Sequence, residues 1–517
     1  MKLGIFINYA PNTEMRKEGL GRYLGGLING FIDSSNEVTI VCPIWSAENV
    51  KKLLGDFGKK DSDYTIVTNK RAPIALGIYK VLKKIGKPKI KKENKMKRLL
   101  KDGIKEQIRN LAKQDNIIIF IIEIIIMGIL SFPVILLLLI ARLFRKIMRV
   151  IRRIIKIDIR TKIKESVRKC ADLVAEEVMQ YSAKKLVNMI NSSVDKQDIW
   201  YVPALFWPQV NDIKDQKVVI NVPDLVTENF ASSFSDYNDP KQTKLCRRTI
   251  QNGKYFITYC EFVGEELLER EFGIEARRWK AIYHSNHDLS KYIEISEDVA
   301  RQMNVDNNLT HVFAKAIIPS IGVITPLING GHLAEAEYIF YSSQWRPNKN
   351  MLNLIKAHEY LIRKRFRHEK LVLTGNIYNS KELEKYIDDH DLREEVLICH
   401  GVSMQQLAAL YCCAKLVVNP TLYEGGFPFT FGEGMSVGTP SIMSDIPQVR
   451  RVLEPAELEE IMFNPRNYLA IAEKMDWALD NLDYLTEKEK TLYNQMAKRK
   501  DNIVAEEYIK AFEQFVS

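Results

Sequence analysis

The chain is predicted to be an α/β protein of two open-sheet domains, with an apolar, basic-flanked insertion in the first. Three observations predict this. Short apolar runs of buried-strand type, such as Leu3–Asn8, Val38–Cys42 and Leu416–Val418, alternate with segments of helical period. Residues 117–144 are far more apolar than the rest. The 517 residues are ample for two domains and an insertion.

Composition sets the frame. A hydrophobic content of 46% and a charged content of 27% are ordinary for a folded protein. The formal net charge is +10, and much of the excess lies between about Lys80 and Lys164. Seven cysteines show no CxxC pair and no metal spacing, so they read as buried or free thiols of a reducing compartment. Met1–Asn8 is too short an apolar run for a signal peptide and reads as a first buried strand.

That strand is followed by Gly19, Gly21 and Arg22 in a tight turn, and then by an apolar-periodic helix through Phe31. Val38–Cys42 is the second strand, stopped by Pro43. The pattern then breaks. Residues 79–113 are strongly basic, with Lys83, Lys84, Lys87, Lys89, Lys91 and Lys92. The apolar run 117–144 comes next. Arg142, Arg145, Lys146, Arg149, Arg152 and Arg153 follow, interleaved with Ile147, Val150, Ile151 and Ile154 at helical period, a basic amphipathic helix.

About 20 residues cross the hydrocarbon, so the run suffices for one span. Three facts favour a hairpin that enters and leaves one face. Ser131-Phe132-Pro133 breaks the run near its middle. Both flanks are basic, which gives a crossing no direction. Strands before and after the insertion must also join one sheet. A buried core hairpin or an oligomerisation helix is the plainer alternative. Glu123 is costly in lipid unless paired or near the surface. The basic flanks suit anionic membrane lipids. Nucleic acid is not expected as a partner, because the aromatic interleaving it wants is missing.

The sheet resumes at Asp198–Pro203, Val218–Leu225 and Tyr255–Glu261, the last leading into a helix through Phe272. Residues 288–335 form a crossing segment, with Ile317–Gly322 loop-like. A new strand, Tyr338–Tyr341, opens a polar loop with Arg346 and Lys349, followed by a helix from Met351 to Arg363. Lys370–Gly375 and Val396–Gly401 are further strands, and Met404–Cys413 is a helix. Ile461–Pro465 is the last strand. The helix Tyr468–Leu479 and a long charged helix after Thr486 close the chain.

The most informative stretch is Asn419–Pro447. A polar turn with Glu424, Gly425 and Gly426 follows the strand Leu416–Val418. A short helix from Thr430 to Val437 is stopped by Gly438 and Pro440. Strand, glycine turn and helix build a phosphate site, because glycines admit backbone close to a ligand and a helix start offers free N–H groups. Glu424 in the loop and Glu433 on the helix can face one cleft. A βα turn with surface glutamates is the plain reading of the glycines alone.

The whole string resembles the paired-glutamate motif of the retaining GT-B glycosyltransferases of the glycogen-synthase-like, family 4 type (glycosyl transferases group 1). The resemblance covers residues 1–44 and about 196–517. It implies that Glu424 lies by the donor sugar and Glu433 holds the ribose hydroxyls, with Gly425, Gly426, Phe427 and Thr430 in the donor loop and helix start. Eight residues, Gly425 to Gly432, separate the two glutamates, one more than the family usually shows. Lys349 falls on the family lysine that grips the donor diphosphate. The family arginine aligns with Gln344, and Arg346, two residues later, is expected to take its role. Gly19, Gly21 and Arg22 align with the loop near the donor phosphates and the acceptor. Pro223 stands where the family often has a histidine, before Asp224. Ala281–His287 resembles the family's last strand before the interdomain linker. Its two histidines read as loop residues, without partners at metal spacing.

The implied architecture is GT-B, two Rossmann-like domains facing a cleft. The acceptor-side domain is expected at 1–290 (insertion about 70–195, membrane hairpin about 117–144), the crossing at 291–336, and the nucleotide-sugar domain at 337–517. The implied activity moves a sugar from a nucleotide-sugar donor to a lipid-linked or polysaccharide acceptor with retention, at the cytoplasmic face of a membrane. No cofactor or metal is expected: Asp388-Asp389-His390-Asp391 reads as a helix end rather than a metal motif. A sugar-nucleotide epimerase and an inactive partner subunit of a glycan-synthesis complex are the alternatives, the latter suggested by Pro223 and Gln344.

Overall fold

A computed structural model describes residues 1–11, 13–17, 19–69, 71–77, 79, 118, 121, 159–224, 240–294, 309–321, 330–375 and 380–516. The first sheet contains β1 (Lys2–Phe6), β2 (Glu37–Cys42), β3 (Thr65–Thr68), β4 (Ile199–Val202), β5 (Lys217–Val222), β6 (Tyr255–Thr258) and β7 (Trp279–Ala281). Its order is β3-β2-β1-β4-β5-β6-β7. The second contains β8 (Tyr338–Tyr341), β9 (Lys370–Thr374), β10 (Val396–Cys399), β11 (Leu416–Asn419), β12 (Ser441–Ser444) and β13 (Met462–Phe463). Its order is β10-β9-β8-β11-β12-β13. By packing, the chain separates into two compact units. One comprises Met1–Ile28, Ser35–Pro203 and Trp207–Val218; the other comprises Asn29–Ser34, Ala204–Phe206 and Val219–Ser517.

In the first unit β1 is central, with Leu3, Ile5 and Phe6 buried. It pairs in parallel with β2 (Ile5 opposite Ile40) and with β4 (Gly4 opposite Trp200). Helix α1 (Gly19–Asp33) begins earlier than expected. Gly19, Gly21 and Arg22 therefore lie in its first turns and not in a preceding loop. A side chain on Gly21 would meet the Met15 carbonyl oxygen at 2.2 Å, so this glycine lets the turn Met15–Lys17 fold against the helix. Helix α2 (Ile44–Gly55) follows β2. Helix α3 (Ile159–Ser192) is 34 residues long and sets Ala171, Val174 and Val178 against Ala75, Leu76 and Tyr79. Among the described residues, no helix is long and apolar enough to cross a membrane. The expected hairpin at about 117–144 lies, apart from Ile118 and Ile121, outside them.

In the second unit the six-stranded sheet is buried on both faces, as parallel strands require. Alternate residues part to opposite sides. Ile339, Tyr341, Leu371, Leu373, Leu416 and Val418 enter one core; Tyr338, Phe340, Val372, Leu397 and Val417 enter the other. Helices α4 (Leu309–Ile317), α5 (Met351–Lys364), α6 (Met404–Cys412) and α7 (Phe429–Met435) contribute to these two cores. Two expectations are corrected. The strand expected at Ala281–His287 is instead β7, Trp279–Ala281, in register with Phe256–Thr258; residues 283–289 leave the sheet as irregular chain. The single helix expected after Thr486 is two, α8 (Leu482–Met496) and α9 (Asp501–Val516). On α9, Tyr508 and Phe512 pack on Phe31, and Phe515 stacks on Tyr255.

Candidate active site

The site is assembled where β8 and β11 end. Beyond β8, Trp345 is buried and donates its indole N–H to the Thr374 carbonyl at 2.7 Å, which fixes the loop to β9. A short turn, Pro347–Lys349, precedes Asn350, whose left-handed backbone (φ 55°) redirects the chain into α5. Asn348 and Asn350 are buried and serve the neighbouring loop. Asn348 donates to the Tyr423 carbonyl (3.1 Å), and its own carbonyl accepts from Leu422 N (2.7 Å) and Thr421 Oγ1 (3.1 Å). Asn350 donates to the carbonyls of Pro420 (2.9 Å) and Pro465 (2.7 Å). These buried amides satisfy backbone groups that a turn would otherwise leave orphaned.

The stitching delivers Lys349 to Glu424. The ammonium lies 2.5 Å from Glu424 Oε1, with both side chains less than one-fifth exposed. Arg346 is exposed and donates to Gln344 Oε1 at 2.9 Å, so the cation and the residue aligned with the family arginine share one edge of the loop. Glu433 is 5% exposed on α7. Tyr411 Oη donates to its Oε2 at 2.7 Å, and His287 Nδ1 lies 3.3 Å from its Oε1. Burial, reinforced by the Glu433 charge, pushes the Tyr411 phenol far up, which keeps it a donor.

The other expected donor residues have defined places. A side chain on Gly425 would meet the Pro223 carbonyl oxygen at 2.0 Å, and on Gly426 the Tyr259 Cβ at 2.9 Å. Phe427 is in the core, edge-on to Phe431. Thr430 is buried and accepts from Asn419 Nδ2 at 2.9 Å. Helix α7 has only seven residues, so its dipole is small beside the two loop cations. Gly19, Gly21 and Arg22 belong to the other compact unit. A cavity of about 160 Å³ beside Phe427 and Phe429 falls short of the roughly 300 Å³ at which ligand pockets begin. Tyr411 and His287 were not expected at the site. Tyr411 reads as one more apolar position of α6, and nothing in the pattern around His287 points to a carboxylate 146 residues away.

Two parallel sheets, each with helices packed over it, and a strand-end lysine paired with a loop glutamate fit the GT-B fold. Residues 329–499 match the model of the family "Glycosyl transferases group 1", a segment that includes Arg346, Lys349, Glu424 and Glu433. The chain has a GT-B fold, and over this segment it is similar to the group 1 glycosyl transferases. O-antigen chain mannosyltransferase RfbU of Salmonella typhimurium is 23% identical over 226 residues, 42% of this chain and 57% of that protein. Serotype-specific mannosyltransferase WbdA of Escherichia coli is 28% identical over 216 residues, 41% of this chain and 25% of that protein. The chain thus spans less than two thirds of the length of either relative. Sucrose-phosphate synthase from Thermosynechococcus elongatus superposes with a TM-score of 0.57 at 12% identity, over 99% of this chain and 98% of that one. HepE of Anabaena, in complex with UDP and glucose, gives 0.55 at 12% identity over the same shares. These two likenesses show the fold.

Proposed function

We propose that the protein is a retaining glycosyltransferase that moves a sugar from a nucleotide-sugar donor to a glycan acceptor. The observation that carries the reading is the Lys349–Glu424 pair, held by buried asparagines within the segment similar to the group 1 family. Lys349 and Arg346 are the cations for the donor diphosphate, and Glu424 stands beside the sugar. Glu433 takes the ribose. In the step, the bond from sugar C1 to the diphosphate oxygen breaks and its electron pair stays on that oxygen. The acceptor hydroxyl bonds to C1 from the same face and gives its proton to the departing phosphate. A forked guanidinium and a point charge offset the negative charge that grows there, so no metal is proposed. Gly19, Gly21 and Arg22 are proposed for the donor phosphates and acceptor side, as the resemblance implies.

Mannose is the first sugar to test, because the relatives are mannosyltransferases. The acceptor is proposed to be lipid-linked or polysaccharide, and the place of work the cytoplasmic face of a membrane, reached through the apolar segment at about 117–144. The test uses detergent-solubilised full chain against UDP-, GDP-, dTDP- and ADP-sugars. One nucleotide is expected to be released, with Lys349→Ala and Glu424→Ala each lowering kcat by about 100-fold or more. If the wild type neither turns over nor binds any donor, the transferase reading fails and the inactive partner subunit takes its place.

A further inference from the structure

We propose that His287 is a positioning residue of the donor site: with Tyr411 it sets the plane of the Glu433 carboxylate that receives the ribose diol. The inference rests on the donor-site reading above. Each Glu433 oxygen has its own donor, Tyr411 Oη on Oε2 at 2.7 Å and His287 Nδ1 facing Oε1 at 3.3 Å. The His287 and Glu433 side chains are 16% and 7% exposed, so water contributes little to orienting the carboxylate. A carboxylate held at both oxygens cannot rotate, and a 1,2-diol then meets preset acceptors.

The imidazole is itself held. It stacks on Phe429 with ring centroids 3.9 Å apart and planes 5° from parallel. The chain on either side is pinned to α7. Leu289 N donates to Ser436 Oγ (3.0 Å), which donates to the Glu433 carbonyl (2.7 Å). Asn286 Oδ1 lies 2.2 Å from where a Gly432 side chain would begin, an approach only glycine permits. Asn286 N donates to the Arg499 carbonyl at 2.9 Å. Segment 286–289 is thus a strap across the helix that carries Glu433, and it sets His287 Nδ1 facing the carboxylate. A filler role would call for an apolar ring of the same size. A ring nitrogen facing a buried carboxylate oxygen is a polar role.

The test measures calorimetric affinity of the full chain for UDP and GDP beside their 2′,3′-dideoxy forms, which lack the diol. Wild type is expected to prefer one ribonucleotide over its dideoxy counterpart. His287→Leu is expected to weaken the ribonucleotide about tenfold and leave the dideoxy form unchanged. His287→Asn, which keeps a donor near the Nδ1 position, is expected to recover most of the loss. Equal weakening of both forms, or no weakening, overturns the role of His287 while wild-type binding preserves the donor-site reading. Absence of wild-type binding overturns both. If His287→Leu does not fold, Tyr411→Phe provides the same comparison: it removes the donor on Oε2 and is expected to cut the preference for ribose, and an unchanged preference overturns the shared-donor arrangement.

Discussion

His284 lies between the rings of Tyr259 and Phe429, at centroid distances of 4.0 and 4.6 Å. Burial pushes its pKa down to about 3, assisted by the charges of His287 and Arg499. The unfolded chain therefore takes up a proton near pH 6.5 that the folded chain refuses until about pH 3. The stability this neutral histidine supports is complete above pH 6.5 and drains away as pH falls between these values. Urea unfolding at pH 7.5 and pH 5 should show the loss in wild type. His284→Gln, which cannot titrate, should show a smaller one; equal losses would exclude His284 as the cause. At this scale legibility was uneven. Glu424, Glu433 and Lys349 stood out because glycines and acids crowd one short stretch. His287 and Tyr411 did not, because a hydrogen bond across 146 residues leaves no local pattern.

Helix α6 presents Tyr411 to Glu433, and its start is set by a reciprocal cap. Ser403 Oγ accepts from Gln406 N at 3.2 Å, and Gln406 Oε1 accepts from Ser403 N at 2.8 Å. Ser403→Ala should cost about 1 kcal/mol, read as a lower urea midpoint with an unchanged slope. A change within error would mean that tertiary packing alone fixes the start of α6. Elements with two buried faces are the legible ones, since β1, β8, β9 and β11 are apolar runs with polar residues only at their ends. The edges were not. Trp279-Lys280-Ala281 and Thr65–Thr68 are short and partly exposed, so they carry no run to recognise. Helix α1 begins earlier than its sequence suggests, because glycines at its start look like a turn. Its length is possible because Gly21 lets the Met15–Lys17 turn close on it.

At the scale of the whole molecule, the net charge of +10 and the apolar run at 117–144 ask the same question, namely what the insertion binds. The proposed answer to both is lipid, because cations before and after one apolar run would give headgroup and acyl-chain contacts from a single segment. Each basic residue near an anionic surface is worth about 1 kcal/mol, and that part falls with salt, whereas the apolar part does not. The two contributions can therefore be separated. The full chain should float with vesicles of phosphatidylglycerol and phosphatidylcholine, more than with phosphatidylcholine alone, and should be only partly released by 1 M salt. A variant with residues 117–144 replaced by a Gly/Ser linker of equal length should still bind anionic vesicles at low salt through its basic flanks, and should be fully released at high salt. Equal flotation of the two proteins at high salt would assign the apolar run to a protein core or a self-association surface. Nucleotide-sugar turnover by the linker variant on a soluble acceptor would then show whether the run is needed for chemistry or only for reaching a lipid-borne substrate.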